Sequence, residues 1–129
     1  MRILFLLSLL PLTALADQYD RVLDAIAKVE TGLTPDAVGR LGERTKFQIT
    51  PATWARFSQK DQQSASPEEV RSVARQVLAE IEKVHASRGM RTDAYGLAEG
   101  WNAGARAKKF RRATLDYAER VAALADAES

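Results

Sequence analysis

The chain has 129 residues, 46% of them hydrophobic and 28% charged, with a formal charge of +2, one histidine and no cysteine. That balance is too apolar for a disordered chain, and it offers no general electrostatic footprint for nucleic acid. No disulfide can form, and one histidine without thiols disfavours a zinc centre or a Cys/His dyad, so any chemistry must rest on carboxylates, hydroxyls, amides and bases.

The first segment is expected to be a secretory leader. Met1-Arg2 supplies a positive charge, Ile3 to Leu12 is an apolar run with six leucines, and Ala14-Leu15-Ala16 has a small-x-small cleavage pattern. The run is too short for an ordinary membrane-spanning helix, and no later segment approaches the required length. Cleavage after Ala16 would leave one domain, 17–129, with a formal charge of +1 because Arg2 departs.

The rest of the sequence reads as helices joined by short loops. A first helix is predicted over 18–31, capped by Asp17, with an apolar stripe of Tyr19, Val22, Leu23, Ile26 and Ala27. Gly32 suits its C-terminus, and Pro35 resists continuation. After a loop over 33–42, Thr45, Phe47 and Ile49 alternate with Lys46 and Gln48, which predicts a short extended segment near 45–50. Thr50-Pro51 opens a helix bearing Trp54 and Phe57, and Trp54 is read as core. Ser66-Pro67-Glu68-Glu69 is a capping-box start for a long helix that stops at Gly89, with Val70, Val73, Val77, Ile81 and Val84 as its buried stripe. His85 follows that stripe without triad partners and is read as structural or exposed. Asp93 opens a short helix leading into Gly100-Trp101-Asn102-Ala103-Gly104, and a last helix over 113–125 aligns Tyr117, Val121 and Leu124. The fold class is mainly α.

Glu30 breaks the amphipathic rule. It lies four residues after Ile26 and seven after Leu23, and so continues the apolar stripe. Burial and the negative end of the helix dipole both favour its protonated form, the state a general acid needs. The ordinary alternative is a frayed last turn with Glu30 reaching water.

Four short motifs follow in order: Val29-Glu30-Thr31-Gly32, then Phe47-Gln48-Ile49-Thr50-Pro51, then Trp101-Asn102-Ala103-Gly104, then Tyr117 ahead of Arg120-Val121. Together, behind an export signal, they resemble the soluble lytic transglycosylase family of the lysozyme-like superfamily, enzymes that cleave bacterial peptidoglycan. That family has Glu-Ser at the end of its first helix, then Gly-Leu-Met-Gln-Ile-Thr-Pro, Ala-Tyr-Asn-Ala-Gly and a tyrosine ahead of Arg-Val. The resemblance implies a compact lysozyme-like helical domain over 17–129. It makes Glu30 the catalytic acid, with Thr31, Phe47, Gln48, Tyr95, Trp101, Asn102 and Tyr117 lining the sugar cleft. Here Thr45-Lys46 stands in place of Gly-Leu, Phe47 in place of methionine, and Gly100-Trp101 in place of Ala-Tyr.

The implied reaction needs no cofactor and no metal. Protonated Glu30 would donate to the glycosidic oxygen between N-acetylmuramic acid and N-acetylglucosamine, then take a proton from the 6-hydroxyl as that oxygen closes a 1,6-anhydro ring. A hydrolytic muramidase of the same fold would instead require a second carboxylate, for which Asp36 and Glu43 are nearest in sequence, both in polar glycine-rich loop. A catalytically weak wall-binding protein is the third reading. Expected partners are peptidoglycan glycan strands, with secretion or envelope-assembly machinery left open. No nucleic acid and no membrane span are expected, and the protein is expected to be periplasmic or secreted and monomeric. The bases Arg106, Lys108, Lys109, Arg111 and Arg112 form a cluster that is either a solvated helix surface or a contact for an anionic wall polymer.

Overall fold

The computed structural model describes residues 12–31 and 46–127, and these are mainly α, with no strand among them. In chain order they form α1 (Leu12–Thr31), α2 (Pro51–Phe57), a single 3₁₀ turn (Gln62–Ser64), α3 (Pro67–Ser87), α4 (Ala94–Ala103) and α5 (Arg112–Asp126).

Several helix starts use side chains to satisfy amides that have no partner inside the helix. The Thr50 hydroxyl accepts from the Thr53 amide at 3.2 Å, with Pro51 in the first helical position. Ser66 and Glu69 form the reciprocal capping box, at 3.1 and 3.3 Å. Asp93 accepts from the Gly96 amide at 3.0 Å. Past the end of α3, Gly89 takes φ +65, the left-handed conformation that closes many helices.

Four expectations need correction. α1 starts at Leu12, so Asp17 lies within the helix instead of capping it. Segment 46–50 is not extended: Lys46 and Phe47 form a turn and Gln48 has φ +54. Phe47 and Ile49 are both buried, but a left-handed residue between them breaks the strand geometry. The buried stripe of α3 is Val70, Val73, Ala74, Leu78, Ile81 and His85, while Val77 and Val84 are only half-buried. On α5, Ala125 is in the core and Leu124 is 37% exposed. In both helices position on the helix decides burial, so on α5 a small alanine is buried while the larger leucine beside it is not. Gly32, Pro35, Asp36, Glu43 and Thr45 lie outside the described residues.

The core draws Val22, Leu23 and Ile26 from α1, Phe47 and Ile49 from the segment before α2, Trp54 from α2, Leu97 and Ala98 from α4, and Tyr117, Ala118 and Val121 from α5, around the α3 stripe. Trp54 meets the polar requirement of its indole by donating to the Lys60 carbonyl at 2.6 Å. α1 is fixed to α3 by charge as well as packing. Asp20 receives Arg75 through both carboxylate oxygens, at 2.8 and 3.0 Å, while Arg71 bridges Asp20 and Asp24 at 3.0 and 2.9 Å. The Tyr19 hydroxyl donates to Glu82 of α3. Among the described residues no helix is long and apolar enough to cross a membrane.

α4 sits unusually close to its neighbours. A Cβ on Gly96 would lie 2.1 Å from the Arg91 carbonyl oxygen, and one on Gly100 would lie 2.4 Å from Ile81 Cγ2. Alanine at a helical glycine normally gains about 1 kcal/mol. Here overpacking reverses the sign. Gly100→Ala is expected to lose about 1–3 kcal/mol, and Gly96→Ala to lose more, because a backbone carbonyl cannot rotate aside as a side chain can. Denaturant melts of the two variants check this, and an unchanged or raised midpoint for either would refute the close-contact account.

Candidate catalytic site

Glu30 occupies the last turn of α1. Leu23 and Ile26 beneath it have no exposed surface, and Glu30 itself is half-buried at the edge of that stripe. α5 packs along α1 and brings Tyr117 to the same place. Tyr117 is 7% exposed, and its hydroxyl lies within reach of the Glu30 carboxyl without well-aligned hydrogen-bond geometry. Burial first, and then the neighbouring Glu30 charge, hold the phenol well above its ordinary pKa. Tyr117 therefore stays protonated and can donate to a charged Glu30 oxygen.

Asn102 joins this seam indirectly. Its Oδ1 accepts from the Thr114 hydroxyl at 2.7 Å. Thr114 and Tyr117 are both buried on α5, three residues apart, so one helical turn separates the Asn102 contact from the phenol. Asn102 itself is exposed. Thr31 follows Glu30, but its hydroxyl donates to the Ala27 carbonyl at 2.6 Å and is engaged with its own helix.

The other expected cleft residues have surroundings of their own. Trp101 is adjacent to Asn102 but faces α2 and α3. Its half-buried indole borders a hollow of about 140 Å³ with Ile49, Thr53, Val77 and the Arg56–Glu80 ion pair. Part of the ring packs on the core and part stays open. Tyr95, in the first turn of α4, lies under the Arg91 guanidinium at 4.3 Å. Phe47, expected on a cleft wall, has no exposed surface and belongs to the core, with the Arg71 guanidinium 5.6 Å from its ring. Gln48 is half-buried on its left-handed backbone between Phe47 and Ile49. Among the described residues no acidic, histidine or cysteine cluster could hold a metal ion.

The sequence reading passed over a second buried polar group. Glu99 is 7% exposed on α4, and burial, the largest influence, raises its carboxyl pKa. His85 has no exposed surface. Its Nδ1 lies 2.9 Å from the Arg91 carbonyl oxygen and must donate there, leaving Nε2 with a lone pair and no partner beside Gly100. A signal for His85 existed, since it continues the spacing of Leu78 and Ile81. Glu99 had none, because it lies between residues whose burial depends on two glycines.

The raised Glu99 pKa has a definite sign. The folded state holds the proton more tightly than the unfolded chain, so stability is lost as pH rises above the unfolded carboxyl value of about 4.3. Glu99→Gln is expected to melt above the wild type at pH 7 and level with it at pH 3. Paired melts across that range check it, and a gap that does not widen with pH would contradict it.

No family model, no characterised protein and no solved structure matches the chain.

Proposed function

We propose that the protein is a peptidoglycan lytic transglycosylase in which Glu30 acts first as acid and then as base. One observation carries the reading: Glu30 closes an otherwise apolar stripe of α1 and is met by the buried phenol of Tyr117. A half-buried carboxyl beside a permanently neutral hydroxyl can alternate between protonated and ionised forms, which is what one residue needs to serve both half-reactions. The order of the four motifs supports the same assignment.

In the proposed reaction, protonated Glu30 gives its proton to the glycosidic oxygen as the bond to the anomeric carbon of N-acetylmuramic acid breaks. The N-acetyl group of that sugar shares the positive character left behind. Tyr117 donates to the ionised carboxylate and steadies it. Glu30 then removes the 6-hydroxyl proton while that oxygen bonds to the anomeric carbon, closing the 1,6-anhydro ring and restoring the acid. No water is consumed and no second carboxylate takes part. Asn102, bonded to Thr114 one turn before Tyr117, would hold the sugar. Export through a cleaved leader would deliver the domain to peptidoglycan outside the cytoplasmic membrane.

Muropeptide analysis of digested sacculi tests the proposal. Wild-type protein is expected to release fragments ending in 1,6-anhydro-N-acetylmuramic acid. Glu30→Gln is expected to lower release by about 10²–10⁴-fold, the usual contribution of a general acid or base, with an unchanged helical circular-dichroism spectrum. Tyr117→Phe is expected to keep part of the activity and to shift its pH profile. Reducing ends in place of anhydro ends would make the protein a hydrolase. Release undiminished in Glu30→Gln would remove Glu30 from the chemistry.

A further inference from the structure

Charge is distributed very unevenly along the chain. Five of the 19 lysines and arginines, and none of the 17 acidic residues, fall between positions 103 and 112, so the remainder is net negative. Four of them, Arg106, Lys108, Lys109 and Arg111, lie on the strap joining α4 to α5, and Arg112 opens α5; all five are exposed. Of their side chains only Arg112 has a carboxylate partner, Asp116 at 3.1 Å.

The strap is held in place by its other groups. Phe110 turns inward, with its ring 6.5 Å from that of His85. Arg88, past the end of α3, donates to the Arg106 carbonyl at 2.7 Å. The inward groups fix the backbone and leave the bases facing solvent. An open groove of about 500 Å³ runs along α3, with Ala79 and Val84 as its apolar floor, Lys83, Ser87 and the Arg56-paired Glu80 beside them, and Arg106 as its one lining residue from the strap. Gathering like charges on a short anchored segment costs repulsion, which an anionic ligand would relieve.

We infer that this strap and groove dock the carboxylate-bearing peptides that hang from the wall polymer, an inference that rests on the peptidoglycan reading above. Small aliphatic side chains fit the floor and carboxylates meet the bases. A flat lipid surface fits less well, because the aromatic residue of the strap faces the protein interior and none is left to insert. A nucleic acid fits less well too, because no exposed ring on the strap is available to stack on bases. The strap links the helices carrying Asn102 and Tyr117.

Co-sedimentation of the Glu30→Gln protein, which leaves the polymer uncut, measures docking alone. Binding to purified sacculi is expected to weaken with added salt, and to fall about tenfold or more in Lys108→Gln/Lys109→Gln/Arg111→Gln, as for a charge-driven contact. A second variant, Lys83→Gln/Arg106→Gln, is expected to weaken binding through the groove. Sacculi whose carboxylates have been amidated with carbodiimide and ammonia should bind poorly, as should peptide-free strands. Equal binding to amidated or peptide-free material, no effect of either variant, or stronger binding to phosphatidylglycerol vesicles would each overturn the inference. Fragment release by the wild type is scored separately. Sacculus binding without release defeats the catalytic reading and leaves docking intact, whereas release with strap-independent binding defeats docking alone.

Discussion

The fold turns on how closely α4 can approach what lies beneath it. Gly96 presses on the Arg91 carbonyl and Gly100 presses on Ile81, at distances that admit no side chain. This contact seats α4 against α3, and α5 then packs along α4 and α1. The positions of Asn102, Thr114 and Tyr117 follow from that stacking, and so does the meeting of Tyr117 with Glu30. A shift of α4 by the width of a methyl group would be transmitted to the seam, because close-packed interiors pass displacement on instead of absorbing it. The same approach has a polar cost. It encloses the unpartnered Nε2 of His85 and the Glu99 carboxyl, two groups that would be better solvated if the helices stood apart.

Charge acts differently at the two ends of the molecule. Between α1 and α3, acids and bases alternate across the helix pair, so Asp20, Asp24, Arg71 and Arg75 neutralise one another and fix the register of packing. On the strap after α4 the bases stand together. Paired charges at partly exposed positions each contribute about 1 kcal/mol or less, so the first group matters chiefly for orientation. The second group opposes folding through its own repulsion and is held together by an anchored backbone.

Where a local rule sufficed, the sequence was legible. Thr50, Ser66 and Asp93 cap their helices with bonds that depend on residues two or three positions away, and Gly89 ends α3 for the same local reason. Glu30 could be singled out because one helix's spacing is enough to place it on the apolar side. Distant partners decided the rest. Alternation at 45–50 reads as a strand, yet a left-handed Gln48 buries Phe47 and Ile49 on either side of it without one. The choice between Val77 and Leu78, or Leu124 and Ala125, depends on the angle at which another helix arrives. Glu99 and His85 are enclosed by tertiary packing alone. For the candidate site, the resemblance put Glu30 and Tyr117 in one cleft, while their helical spacing alone did not decide whether they meet. The separation of Trp101 from Asn102 was not anticipated, because a single helical step turns adjacent residues toward different neighbours.

The Thr114–Asn102 bond gives the seam a polarity. The Asn102 carbonyl oxygen is turned inward to accept the threonine proton, so the amide nitrogen forms the outward edge. That edge supplies hydrogen atoms. Any molecule lying across this end of α4 must therefore present an oxygen lone pair to it, as the carbonyl of an acetamido substituent does, and a group with only hydrogens to give would be left unmatched.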